Sequence, residues 1–278
     1  RDAFFGFARK GRRRRESFVL KYIDVHCHPD DENFGDLDGF FARAKFAGVE
    51  KVICAGVDLQ TSLYASRLAE YYDGCYFTAG IHPTEIAKAE IDDLELIYKL
   101  ARHPRCVAIG EIGLDYHYPD TDKERQKDYF IRQLSMASEL GLPVQIHSRD
   151  SAEDMLDLLK TYAPTLKSGI LLHCYSHSAE IAAELEKLGC YFSFGGTSTY
   201  SGSKKARKTI AALSSDRIMT ETDSPYLPPK SKQGTFPNTP ESIPEILNSI
   251  AAVRGVPPED MARVVWDNVH TLFKKLCN

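Results

Sequence analysis

The sequence predicts a single-domain α/β protein of the TIM (β/α)8-barrel type, with additional helices at its C-terminal end. Short runs rich in β-branched and aromatic residues alternate with segments of helical periodicity eight times between residues 22 and 221. Such alternation is typical of parallel sheets with crossover helices. No linker or change in composition divides residues 22–278. A chain of 278 residues also has the length of one such barrel.

The eight strands are predicted from apolar runs of five or six residues. Each run has the length and the content of valine, isoleucine, phenylalanine and tyrosine that are typical of a strand buried on both faces of a parallel sheet. In chain order the predicted strands are residues 22–26, 51–55, 76–80, 106–111, 143–147, 169–173, 190–194 and 217–221.

The segments between the strands place apolar residues at helical spacing. Three of them end at a glycine, Gly48, Gly141 or Gly189, which favours a helix C-terminus. The longest irregular stretch, residues 224–240, follows the last strand and is expected to lie over the mouth of the barrel. The predicted helices are residues 37–48, 61–72, 92–101, 122–140, 150–162, 178–188 and 203–213, with C-terminal helices at 241–254 and 258–276.

The composition is that of a folded globular chain, with 43% hydrophobic and 27% charged residues. No uncharged apolar stretch approaches the roughly 18 residues that span a bilayer, so we expect no membrane helix and no membrane partner. The seven cysteines are odd in number and form no Cys-x-x-Cys pair, which argues against a disulfide framework and favours a reducing compartment. We expect a cytoplasmic protein, with a monomer as the simplest assembly.

Residues 1–21 are predicted to be a basic leader, and the barrel domain spans residues 22–278. Residues 1–16 carry seven arginines and lysines against two acids, a charge of +5, so the rest of the chain carries −9 of the total of −4. We interpret the leader as a disordered segment or a remnant of expression; a nucleic-acid arm, a membrane arm or a transit peptide is the alternative. Because residues 17–278 are acidic, we expect them to bind long nucleic acid weakly by charge alone. Their negative charge instead favours the binding of cations.

Histidines and acids gather at the predicted C-terminal ends of the strands. His26 ends the first strand and His28 lies two residues on, so their side chains point to the same side. In a parallel barrel all such ends converge on the face that carries active sites. Six side chains at one rim exceed the three protein ligands of a single catalytic zinc and suit two divalent metals with a shared carboxylate. These candidate ligands are His26, His28, Glu111, His147, His173 and Asp223.

Other polar and aromatic residues near the rim are candidates for substrate contacts. A histidine there has an imidazole that faces the mouth, and a tyrosine has a ring on which a base could stack. Arg149 has a guanidinium that can fork onto a phosphate, with a salt bridge to the next helix as the alternative. The candidates are His82, Arg149, Tyr116, Tyr175, Tyr226 and His177.

Six motifs in the same order resemble the TatD-related deoxyribonucleases, which are TIM-barrel metal-dependent hydrolases of the amidohydrolase superfamily. The resemblance runs from about residue 22 to residue 275 and is specific to the family more than to a substrate. The motifs are Asp24-Val-His-Cys-His28, Gly80-Ile-His-Pro83, Gly110-Glu-Ile-Gly-Leu-Asp115, Gln145-Ile-His-Ser-Arg149, His173-Cys-Tyr-Ser176 and Glu221-Thr-Asp-Ser-Pro-Tyr-Leu227.

The resemblance implies how the candidate ligands divide between two metals. It places Glu111 as the shared carboxylate, and no lysine lies in residues 106–116 to form the carbamylated bridge of other superfamily branches. Asp223 is our candidate for the general base as well as a ligand, and Glu221 is expected to support the site structurally. One metal would be held by His26, His28, Glu111 and Asp223, and the other by Glu111, His147 and His173.

The resemblance implies a metal-dependent phosphodiesterase, and we expect a 3'-5' exonuclease that acts on single-stranded DNA ends with two-metal water activation. The expected cofactors are two divalent ions, zinc, manganese or magnesium. One alternative keeps the metals but hydrolyses an ester or amide, as a D-aminoacyl-tRNA deacylase does. Another is a non-catalytic module that retains a metal site. The loop 224–240 has fewer arginines than is usual in the family, and His177 stands in place of a glycine, so the substrate preference stays open.

Overall fold

The computed structural model describes residues 20–277. Eight parallel strands form one sheet in which each strand pairs with the next along the chain. The strands are β1 (Tyr22–Cys27), β2 (Val49–Ala55), β3 (Cys75–Ala79), β4 (Cys106–Asp115), β5 (Val144–Arg149), β6 (Ile170–Leu172), β7 (Tyr191–Phe194) and β8 (Ile218–Thr220).

Helices connect the strands and cover the outside of the sheet, as the alternation in the sequence predicts. Apolar positions on their inner faces join one continuous core with the strands. The helices of the described residues are α1 (Asp31–Phe34), α2 (Leu37–Phe46), α3 (Leu59–Tyr71), α4 (Ile91–Leu100), α5 (Lys123–Leu140), α6 (Ala152–Tyr162), α7 (Ala179–Lys187), α8 (Lys204–Ala212), α9 (Ile243–Arg254) and α10 (Pro258–Leu272).

The first and last strands meet at the rim of the barrel through backbone hydrogen bonds just beyond β8. The Asp223 N–H donates to the His26 carbonyl at 2.9 Å, and the His28 N–H donates to the Ser224 carbonyl at 2.6 Å. These bonds bring the chain after β8 against the end of β1. The prediction of a single-domain TIM-type barrel with C-terminal helices is confirmed.

Two glycines let neighbouring strands approach closely beneath the rim. A Cβ atom on Gly80 would lie 2.8 Å from the Gly110 carbonyl carbon, and one on Gly110 would lie 2.7 Å from the Gln145 Cβ. Neither position has room for a larger side chain without a shift of its neighbour. The packing of β3, β4 and β5 therefore depends on these glycines, and it fixes Glu111, the residue after Gly110.

The structure corrects several predicted boundaries. β4 continues to Asp115, so Glu111 lies inside a strand whose ten residues are all buried, not at its end. His147 likewise lies within β5, because pairing with β4 continues as far as Arg149. The last helix ends at Leu272 and a 3-10 turn follows at Lys274–Cys277. The four-residue α1 was not predicted.

Among the described residues, no helix is both long and apolar enough to cross a membrane. The predicted leader lies outside the described residues, apart from its last two positions. The cytoplasmic location and the monomeric state stay predictions.

Candidate metal centre

Four side chains from β1 and the residue after it, from β4 and from the segment after β8 point their ligand atoms at one small space. The two imidazole Nε2 atoms of His26 and His28 are 2.9 Å apart. The Oε2 atom of Glu111 lies 3.4 Å from the first and 3.6 Å from the second. The Oδ1 atom of Asp223 lies 3.6 Å and 3.4 Å from the same two nitrogens. We call these four residues the first cluster.

Hydrogen bonds on the far side of each ring assign the tautomers of the first cluster. The Gln145 amide donates to the Val25 carbonyl at 2.7 Å, so its Oε1 atom faces His26 and accepts from Nδ1 at 2.8 Å. The Nδ1 atom of His28 donates to the Ala55 carbonyl at 3.1 Å. With neutral rings, which metal binding requires, these bonds leave two Nε2 lone pairs that face each other and two carboxylates, an arrangement that fits a cation.

A second cluster forms around the other oxygen of Glu111. Its Oε1 atom lies 3.1 Å from His147 Nδ1 and 2.7 Å from His173 Nε2, and these two nitrogens are 3.3 Å apart. The Nε2 atom of His147 donates to Asp115 Oδ2 at 3.0 Å, which leaves the Nδ1 lone pair free to face the cluster. We call Glu111, His147 and His173 the second cluster.

Glu111 belongs to both clusters, one oxygen to each. Its side chain is only 4% exposed, and burial opposes its ionisation. The neighbouring His173, His82 and His26 rings outweigh that effect and hold the pKa of Glu111 well below its usual range. An ionised carboxylate with its two oxygens in adjacent ligand sets is suited to bridge two cations.

The remaining pKa shifts follow from the same mixture of burial and opposite charge. Burial opposes the ionisation of Asp223, but hydrogen bonding to His28 and the charge of His26 lower its pKa. Burial disfavours protonated His173, but Glu111 and Glu221 raise its pKa well above the usual value. The acids are therefore in the ionised form that binds metals.

His82 differs from the histidines of the two clusters in that a protonated nitrogen, and not a lone pair, faces Glu111. Its Nε2 atom lies 3.3 Å from Glu111 Oε1, and His82, Glu111 and His147 are close enough together to hold an ion. The backbone N–H of Thr84, however, donates to His82 Nδ1 at 3.2 Å. A neutral ring then carries its proton on Nε2, and burial lowers the pKa of His82 and so favours that neutral ring. His82 is therefore arranged as a hydrogen-bond donor into the site.

Three buried polar residues that support the clusters were not predicted from the sequence. Asp115 and Gln145 orient His147 and His26, as described above. Asp24, which is fully buried, accepts hydrogen bonds from Thr222; burial raises the pKa of Asp24 to about 7 despite these bonds. One signal was available for two of them, since Asp24 and Gln145 each lie two residues before a ligand histidine and thus on the same side of the strand.

The structure places some of the candidate substrate residues at the cavity and others away from it. His82, Arg149 and Tyr226 line a cavity of about 1350 Å³ that is also lined by members of both clusters. Tyr116 donates its hydroxyl to Asp154 and lies under the Lys123 ammonium group.

Two further candidates are occupied by internal contacts. Tyr175 is 5% exposed and packs edge-on against Phe192. The Nε2 atom of His177 lies 2.7 Å from the hydroxyl of Ser148. Among the described residues that line the cavity, Tyr116, Tyr175 and His177 are absent.

The fold and the two linked ligand clusters at its rim define a barrel hydrolase of the metal-dependent class. The chain belongs to the TatD family, because the family model described as "TatD related DNase" matches residues 23–274. This confirms the predicted family and the prediction of a metal-dependent hydrolase.

Two curated relatives cover most of the chain. The metal-dependent hydrolase YabD of Bacillus subtilis is 36% identical over 253 residues, which are 91% of this chain and 98% of that protein. The protein named 3'-5' ssDNA/RNA exonuclease TatD of Klebsiella pneumoniae is 36% identical over 242 residues, 86% and 92% of the two chains. The crystal structure of YjjV, a TatD homologue from Escherichia coli, superposes with a TM-score of 0.88 at 33% identity and covers 92% of this chain and 99% of its own.

Proposed function

We propose that this protein is a metal-dependent phosphodiesterase that removes nucleotides in the 3'-5' direction from single-stranded DNA ends. The observation that carries the proposal is the position of Glu111, whose two oxygens lie within 3.6 Å of ligand nitrogens in two adjacent clusters. Two-ion sites with a shared carboxylate are suited to phosphodiester hydrolysis. The relative named as a single-strand exonuclease supports the choice of substrate.

The donor set fits divalent cations, with His26, His28, Glu111 and Asp223 as ligands of one ion and Glu111, His147 and His173 as ligands of the other. Zinc, manganese or magnesium, when bound, would neutralise charge on the phosphoryl oxygens and favour deprotonation of the attacking water.

The remaining roles fall to side chains of the chain itself. Asp223, ionised and 16% exposed, accepts the proton of the attacking water as general base. His82 donates a hydrogen bond from its Nε2–H group to an oxygen of the scissile phosphate, which stabilises developing negative charge. Arg149 is exposed and lines the cavity, and its guanidinium orients the phosphate through two parallel hydrogen bonds.

The test of this proposal is an assay with purified protein and single-stranded DNA labelled at either end. We expect shortening from the 3' end in the presence of manganese, magnesium or zinc, and no shortening after treatment with a chelator. Restoration of activity by added metal is the control for damage by the chelator. Cleavage that persists in a metal-free sample would contradict the mechanism, and cleavage from the 5' end would contradict the polarity.

A second candidate function uses the same metals to hydrolyse an ester bond instead of a phosphodiester bond. The chain beyond residue 16 carries a net charge of −9, which is compatible with a substrate that offers only its terminus. Removal of a D-aminoacyl group from tRNA is such a reaction. Equal amounts of the protein should be assayed with DNA ends and with D-aminoacyl-tRNA, and a higher kcat/KM for the second substrate would favour this alternative.

Glu221 is predicted to support the metal centre from behind His173. It is fully buried, its Oε1 atom lies 3.7 Å from His173 Nδ1, and its Oε2 atom accepts from Ser193 at 2.5 Å. We expect Glu221→Gln to lower metal affinity about 10- to 100-fold, because a carboxylate behind a ligand histidine raises its basicity and fixes its orientation. Competition with a chromogenic chelator measures this.

The matched control for Glu221 is Ser193→Ala, which removes the partner of the other carboxylate oxygen and leaves Oε1 facing His173. We expect its metal affinity to stay close to that of the wild type. Circular dichroism establishes that both variants fold. A folded Glu221→Gln protein with unchanged metal affinity would show that Glu221 has no part in holding the metals.

A further inference from the structure

Exposed apolar side chains gather on the loop 224–240, beside the metal centre. Tyr226 is 54% exposed, Leu227 36% and Phe236 59%. The rings of Tyr226 and Phe236 have centroids 6.3 Å apart and are tilted by 46°. Tyr226 and Leu227 line the same cavity as Glu111 and Asp223. The loop therefore presents aromatic surface to solvent at the edge of the candidate active site.

The loop is held in place by hydrogen bonds, so the exposure of its rings is built into the fold. The fully buried Asn238 donates from its side-chain amide to the carbonyls of Thr222 and Tyr226, each at 3.0 Å. Its backbone N–H donates to the Pro225 carbonyl at 2.8 Å, and the Tyr226 N–H donates to the Asp223 carbonyl at 2.9 Å. Through these contacts Tyr226 keeps a fixed position relative to the candidate general base.

Charge is distributed unevenly around the aromatic pair. Lys230 lies on the same loop, and its backbone N–H donates to the Thr199 hydroxyl at 2.7 Å, which joins the loop to the segment before α8. Lys204 and Lys205 begin α8 on that side and are exposed. Within residues 20–277 these three lysines form no ion pair. The wall of the cavity formed by the segment after β1 and by α3 is acidic on balance, with Asp30, Asp31 and Glu32 against Arg67.

We propose that Tyr226 and Phe236 form a stacking platform for an unpaired base of the substrate, with Lys204, Lys205 and Lys230 facing its phosphates. This inference rests on the proposed nuclease function and specifies how the strand lies. Stacking suits every base, because each has a π face, and lysines beside aromatic rings are typical of single-strand binding surfaces. The acidic wall repels phosphates, so the strand lies over the β7–β8 side of the rim.

The experiment compares Tyr226→Ala and Phe236→Ala with the wild type on short oligothymidylate and on an oligomer of the same length with abasic sites near the 3' end. We expect each variant to raise KM on oligothymidylate about tenfold with kcat nearly unchanged. The wild type should lose about as much on the abasic oligomer, and the variants should lose nothing further there. Phe236→Tyr should restore the wild-type KM.

The matched control is Tyr71→Ala. Tyr71 is an aromatic residue that is 77% exposed at the C-terminal end of α3, away from the rim. Its KM should equal that of the wild type. Unchanged kinetics in both rim variants, or an equal loss on both oligomers, would overturn the platform while the nuclease function stands.

Failure of the proposed function gives a different result. If the wild type cleaves no nucleic acid with any of the three metals, the proposed function is wrong. Whether Tyr226 and Phe236 form a stacking platform is then tested by binding alone. Fluorescence anisotropy with labelled oligothymidylate then measures Kd for the same variants. A rise of about tenfold in Kd supports the platform, and an unchanged Kd overturns it.

Discussion

Replacement of Glu111 by glutamine is expected to lower kcat/KM for a phosphodiester substrate by at least about 10³-fold, since metal ions contribute several kcal/mol of transition-state stabilisation. The amide has nearly the shape of the carboxylate but carries no charge and only one acceptor oxygen. It can therefore face one cluster but not bridge both. Because Glu111 is the residue common to the two clusters, we expect the bound metal to fall below two ions per chain.

Elemental analysis and kinetics on the same sample check this expectation. Glu85→Gln is the matched control: Glu85 follows β3 three residues after His82 and pairs with Lys88 instead of the clusters. It should keep wild-type metal content and activity. Thermal unfolding of the metal-free proteins separates loss of metal from loss of fold. A folded Glu111→Gln protein that retains two metals and full activity would refute the role of Glu111 as a bridge.

The fold was predictable because its signals are local. The alternation of strands and helices depends on runs of a few residues, and the glycine after α5, Gly141, ends that helix in the left-handed conformation with a φ of 63°. The end of β4 was not predictable in this way. The strand continues beyond Glu111 because Ile112 and Gly113 pair with Ile146 and His147, and such pairing depends on a strand about thirty residues away.

The candidate ligands were predictable for a related reason, and their supporting contacts were not. Parallel strands in a barrel all end at one rim, so a histidine at a strand end is placed there by topology alone. The tautomer of His26, in contrast, depends on Gln145, 119 residues away in sequence. The donor role of His82 depends on the conformation of the turn that contains Thr84. Periodicity contains no information on such contacts, since they depend on distant strands and on the conformation of single turns.

The tyrosines that were predicted to stack a base show the same limit of prediction from sequence. Tyr116 and Tyr175 follow ligand-bearing segments in sequence, but a position near a ligand does not decide which way a ring turns. Tyr175 turns inward onto Phe192 because that contact buries an aromatic face. Phe236 lies ten residues after Tyr226, yet the loop brings the centroids of the two rings to 6.3 Å from each other.

Replacement of Asp223 by asparagine is expected to lower kcat about 10²- to 10⁴-fold, the contribution of a general base, and to change KM little. Asparagine is the informative substitution because Asp223 has a φ of 56°. Asparagine and aspartate tolerate this left-handed conformation better than other non-glycine residues, whereas alanine would add backbone strain to the loss of the carboxylate. A change in kcat in the Asn variant therefore reports on the lost carboxylate, as base and as metal ligand, and not on backbone strain.

The Asp223→Asn and Glu111→Gln variants differ in their expected metal content, and this difference tests which residues belong to which cluster. Asp223 contributes an atom only to the first cluster, so Asp223→Asn should weaken the ion held by His26 and His28 and leave the ion held by Glu111, His147 and His173 in place. Glu111→Gln affects both. Metal content near one ion per chain for the first variant, with a lower value for the second, agrees with a shared carboxylate. Equal loss of both ions in the two variants would mean that the clusters are not separable sites, because removal of one ligand of the first would then empty the second.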